Sequence, residues 1–130
     1  CSTGVQHLII PVKNIEKTDV NKLGKKIRFH PLFAPEGTNV NFVQIEREII
    51  KIRTYERGVE DETEACGSGA CAAAICLAIF RNIKAPLRIE TKSKEILTVD
   101  FKDKRDTLTK IKKMHLYGPA KKVFSGSINI

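Results

Sequence analysis

"TEACGSGACAAAICLAIF", residues 63–80, joins a cysteine and a glycine-rich turn to an unbroken apolar run. From Ala70 to Phe80 no charged side chain interrupts that run. A helix with no polar face has to be enclosed by other layers, so one fully buried helix is expected at the centre, stopping near Asn82 and Pro86. Cys66 falls where loop becomes helix. There the free backbone N–H groups and the positive end of the helix dipole face the sulfur, a setting that favours the thiolate. Gly67 and Gly69 let a ligand approach backbone donors, Ser68 adds a hydroxyl, and the same N–H groups suit a carboxylate. A cysteine cap, with glycines kept only for tight packing, is the bland alternative. On this stretch alone both readings stand.

Working outward, His7–Val12 (HLIIPV) reads as a short strand. Asp19–Phe29 carries Val20, Leu23 and Ile27 on one helical face, with Thr18 or Asp19 as cap and Pro31 as stop. Asn39–Glu46 and Ile49–Glu56 read as strands joined tightly near Arg47 and Glu48. An acidic loop, Gly58–Glu64, leads into the long helix. Beyond it, Leu87–Thr91 and Ile96–Phe101 form a hairpin. Leu108–Tyr117 and Lys122–Ile128 are expected as two more strands, turning at Gly118 and Pro119. About seven strands and one buried helix predict an α+β domain in which curved sheet wraps the helix.

Composition bounds the function classes. The 130 residues are 42% hydrophobic and 29% charged, enough for one domain with a real core. No run of 18 apolar residues exists for a membrane helix. Met114 is the one methionine, so the chain is expected to be a piece of something longer. The formal charge of +8 raises nucleic acid as a partner, and Lys102–Lys122 is rich in lysine. Few aromatic residues are available to stack on bases, however, and no nucleic-acid-binding signature is present, so a solvated basic face is expected and nucleic acid is not. The four cysteines lack zinc spacing. No metal site is expected, and the cysteines point to a reducing, cytoplasmic setting.

"YERGVEDETEACGSGACAAA" resembles the second signature of diaminopimelate epimerases: E-R-G, a short loop, then A-C-G-T-G-A. "STGVQHLIIPV" is similar to that family's G-N-P-H strand, and "FAPEGTNVNFV" to its F-P-x-x-x-N-V-x-F segment. "LYGPAKKVFSG" fits its final strands. The resemblance covers essentially the whole chain and only the C-terminal half of the family's usual length. It implies a pyridoxal-phosphate-independent, cofactor-free epimerase of two similar halves, each a curved β-barrel around a central helix, with substrate between them. Residues 1–130 would be the C-terminal domain, and the N-terminal half, absent from this chain, would carry a second cysteine.

Carried over by position, the resemblance implies Cys66 as one acid–base cysteine. Glu56 and His7 would lie beside the reacting centre. Asn39 and Arg57 would bind the distal end of diaminopimelate, and Gly67 and Ser68 its α-carboxylate through backbone N–H groups. His30 and His115 match no functional position. Implied partners are the amino-acid substrate and the missing half, with a homodimer as a further candidate. Three departures stand out. Val5 and Gln6 replace the family's Asn-Pro. The loop from Gly58 to Cys66 is one residue longer and carries Glu60 and Asp61 in place of a second glycine. Ser68 replaces threonine. Substrate choice relaxed toward other acidic amino acids, glutamate first, is therefore expected. A related racemase of the glutamate or proline type is the alternative within enzymes, although "ETEAC" lacks the D-R-S-P context of proline racemases. The alternative of another class is a non-catalytic module binding anions or nucleic acid on the same fold.

Overall fold

The computed structural model describes residues 1–102, 111 and 113–128. Among the described residues, seven strands form one mixed sheet: β1 (His7–Pro11), β2 (Asn39–Glu46), β3 (Ile49–Glu56), β4 (Asp61–Thr63), β5 (Leu87–Glu90), β6 (Ile96–Phe101) and β7 (Met114–Tyr117). Two helices among the described residues, α1 (Val20–Arg28) and α2 (Gly67–Arg81), make the architecture α+β. The strand order is β1-β2-β3-β5-β6-β7, with β4 paired to β3. β1 runs parallel to β2, and β3 is antiparallel to β2. The starts of β1 and β2 and the end of β3 therefore share one end of the sheet.

Side chains alternate across a strand, and here the two faces serve different helices. Val40, Phe42 and Tyr55 pack with Val20 under α1. Val43, Ile50 and Ile52 pack with Ala70, Ala73, Ala74 and Leu77 of α2. β2 is buried on both sides over its first five residues because it lies between the two helices. Asn39, Asn41, Thr54 and Glu56 have the parity of the α2 face.

The sequence expectations for the helices need two corrections. In α1 the buried residues are Val20 and Gly24, whereas Leu23 is 42% exposed. Gly24 lies so close to Tyr55 that a β-carbon would collide with that ring, so the helix seats on the sheet through its glycine. α2 begins at Gly67 and ends on Asn82 in the left-handed conformation, φ 54°. It is not wholly enclosed: one stripe of small residues is buried, while Phe80 is 79% exposed. The sheet covers one side of a helix whose sequence alone demanded cover on all sides.

Two strand expectations also change. The acidic loop contains β4, whose Asp61, Glu62 and Thr63 pair with Glu56, Tyr55 and Thr54. Its polar sequence gives no strand signal; it is held by Arg53, whose guanidinium donates to both carboxylate oxygens of Glu62 at 2.6 and 2.8 Å. The same Arg53 donates to the Ile15 and Thr18 carbonyls, joining the lead-in of α1 to this strand. Lys122–Ile128 forms no strand, and Val123, Phe124 and Ile128 lie exposed without a pairing partner among the described residues. Of the strand expected over Leu108–Tyr117, Met114–Tyr117 is present; residues 103–110 and 112, with much of the basic run, lie outside the described residues.

Candidate active site

Cys66 is the N-cap of α2, in extended conformation and 8% exposed. Its side chain makes no cap hydrogen bond, and Sγ lies 3.5 Å from Ser68 Oγ. The first helical bond runs from Ala70 N–H to the Cys66 carbonyl at 2.9 Å. The N–H groups of Gly67, Ser68 and Gly69 precede it and have no carbonyl one turn back to bond. They surround the position with positive dipole ends. Burial pushes the Cys71 and Cys76 thiols, deeper in the helix, above their ordinary range, which suits inert packing.

Three contacts fix this helix start. Thr3 Oγ1 donates to the Ser68 carbonyl at 3.2 Å. A β-carbon on Gly67 would stand 3.0 Å from Leu116 Cδ2 of β7. On Gly69 it would collide with Asn41 Oδ1 of β2. A groove of about 320 Å³ opens beside the turn, lined by Thr3, Ser68, Cys71, Ile75 and Leu116 among others.

The remaining candidates gather at the shared end of the sheet. His7 registers opposite Asn39. Asn39, 4% exposed, accepts from Arg57 N–H at 2.8 Å and donates through Nδ2 to the Gln6 carbonyl at 3.3 Å. Its amide thus braces the start of β1 and the turn after β3. Arg57 Nη1 reaches the Glu36 carbonyl at 3.4 Å. Glu56 accepts from Thr63 Oγ1 at 2.9 Å. His7 is 3% exposed, and its pKa is lowered to about 4 by burial first, then by the charge of the Cys1 amine, with a smaller part from Arg57. His30 accepts from Leu32 N–H at a helical turn.

Asn41 links the two groups. Its Nδ2 lies 3.2 Å from His7 Nδ1 and donates to the Leu8 carbonyl at 3.1 Å, and its Oδ1 accepts from Thr54 Oγ1 at 2.9 Å. Reasoning from motifs missed it, since a lone polar residue inside an apolar strand has no local signature. Its parity with Asn39, on the face turned to the long helix, was the available signal.

A family model described as diaminopimelate epimerase matches residues 1–123. The chain belongs to the diaminopimelate epimerase family. It is 48% identical to the diaminopimelate epimerase of Aquifex aeolicus (strain VF5) over 98% of this chain and 44% of that one. With the Chlorobaculum tepidum enzyme identity is 41%, over 98% and 48% of the two chains. With that of Methanocella arvoryzae it is 35%, over 99% and 43%. The chain thus spans less than half the length of these curated relatives. A phenazine biosynthesis protein of the PhzF family from Enterococcus faecalis shares the fold, with a TM-score of 0.55 and 18% identity over 75% of this chain and 34% of that one.

Within this diaminopimelate epimerase family chain, the loop after Gly58, expected from the motif comparison to depart from the family pattern, has its own support. Glu60 adopts a left-handed φ of 60°, a conformation that suits glycine. Its carboxylate accepts from Gly58 N–H at 3.0 Å and from Arg28 Nε and Nη2 at 3.2 and 3.0 Å. The side chain thereby holds a turn that a glycine would otherwise permit. Tyr55 Oη donates to the Glu60 carbonyl at 2.8 Å and fixes the other side.

Proposed function

We propose that this chain is the C-terminal half of a diaminopimelate epimerase, in which Cys66 exchanges a proton with the substrate α-carbon. The observation that carries the reading is a nearly buried thiol at the N-cap of α2, leaving its cap bond unmade beside three free N–H groups.

Removing the α-proton of an amino acid needs a positioned base and a way to stabilise the carbanion. In this reading the thiolate of Cys66 takes the proton from one face. The N–H groups of Gly67 and Ser68 hold the α-carboxylate and draw off developing charge. Inversion then requires a proton from the opposite face, supplied by a thiol of the N-terminal half. LL- and meso-diaminopimelate interconvert with no net redox change and no cofactor. The isolated chain, holding one member of the pair, would not epimerise. In this reading His7 and Glu56 lie beside the reacting centre, and Arg57 offers its fork to a distal carboxylate. A thiol pair of this kind needs a reducing compartment, which supports a cytoplasmic setting.

The test is entry of solvent deuterium at the substrate α-carbon, catalysed by the intact protein. Cys66→Ser is expected to lower it by about 10²–10⁴-fold. Unchanged exchange in that variant removes the proposed role. Slow racemisation of glutamate by the intact protein would support relaxed substrate choice, and turnover confined to diaminopimelate would end that part of the reading.

A further inference from the structure

We infer that Asn41 is a positioning residue that holds His7 in the tautomer with its proton on Nε2. The argument rests on hydrogen-bond bookkeeping around one buried amide. Asn41 is fully buried, so each of its polar atoms needs a partner. The Leu8 carbonyl, 3.1 Å away, can only accept, and the atom facing it must be the amide nitrogen. Turning the amide over would set two oxygens against each other. The oxygen that remains accepts from Thr54 Oγ1 at 2.9 Å. The second amide hydrogen then points at His7 Nδ1, 3.2 Å away. A donor facing Nδ1 requires a lone pair there, which leaves the ring proton on Nε2. A proton on Nδ1, in the other tautomer or in the imidazolium, would face an N–H group. Nε2 itself is buried with no partner among the described residues, so the tautomer presents an unused N–H donor.

The placement gives this donor a purpose. Asn41 also abuts Gly69, within the first turn of the helix that Cys66 caps. One side chain therefore sets both the ring state of His7 and the closeness of that turn to the sheet. The tautomer stands on hydrogen bonding alone; its bearing on turnover rests on the reading that His7 lies beside the reacting centre.

Nitrogen-15 spectra of the imidazole at pH 7 test the assignment, since protonated and unprotonated ring nitrogens resonate in separate regions. The wild-type chain is expected to show an unprotonated Nδ1 and a protonated Nε2. A protonated Nδ1 overturns the inference, and this spectrum needs no variant to fold. Asn41→Asp replaces the donor by an acceptor and is expected to move a proton onto Nδ1. In the intact protein that variant should lose about tenfold or more in kcat, the worth of one misdirected hydrogen bond at the transition state, with KM changed less. A switched tautomer with undiminished kcat overturns the positioning role and leaves the epimerase reading intact. Absence of turnover in the wild-type intact protein overturns that reading and leaves the tautomer standing.

Discussion

Gly69 and Asn41 meet with no room for a β-carbon between them, and that β-carbon would also stand 3.2 Å from Cys66 Sγ. The contact lets the helix start seat directly on β2. Gly69→Ala is expected to destabilise the fold by about 1–3 kcal/mol through overpacking. It should do so although alanine is favoured over glycine in helices by about 1 kcal/mol. Urea denaturation checks this, and a rise in the midpoint would show that the contact yields.

Arg53 holds Glu62 through Nε and Nη2, and the Ile15 and Thr18 carbonyls through Nη1. Glu62 is 8% exposed at its side chain, and without Arg53 its carboxylate keeps only the longer pairing with Lys92 Nζ at 3.9 Å. Arg53→Met is expected to cost about 3 kcal/mol. The loss should show as a lower thermal midpoint and faster amide exchange at Asp61–Thr63.

The pKa of His7 is lowered from 6.5 to about 4. The unfolded chain therefore binds more protons in that window, and stability is full above pH 6.5 and falls as pH drops toward 4. The loss between pH 7 and pH 4.5 is about 2 kcal/mol from this one group. His7→Asn should flatten that part of the stability profile, measured by urea midpoints at the two pH values. An equally steep fall in the variant would assign the effect to other groups.

Glu60 combines an unfavourable φ with three stabilising contacts of its carboxylate. Glu60→Ala keeps the strain and loses the contacts, with an expected cost of about 1–2 kcal/mol. Glu60→Gly relieves the strain as it loses them and should lie within about 0.5 kcal/mol of wild type. Calorimetry on both variants distinguishes the two contributions, and an equal loss in both would show that strain at this turn is negligible.

Much of the fold was legible locally. A short apolar run marked β1, apolar alternation marked β2 and β3, and the cap–glycine–alanine run marked α2 with Cys66 at its start. What escaped was non-local. Asp61–Thr63 becomes a strand because β3 offers an edge and Arg53 a counter-charge. Lys122–Ile128 has strand-like residues but pairs with no strand among the described residues. Leu23 yields its place to Gly24 because Tyr55 fills the space.

By itself, the sequence of this chain determined most of its elements, its family and the thiol at a helix start, since neighbouring residues carry capping, periodicity and motif spacing. Only the tertiary structure decided that Asn41 meets both His7 and Gly69, that Asn39 spends its amide on backbone, and that α2 leaves Phe80 in the open. Those outcomes depend on strand register and on which face meets which helix, and both are set by packing between segments far apart in the chain.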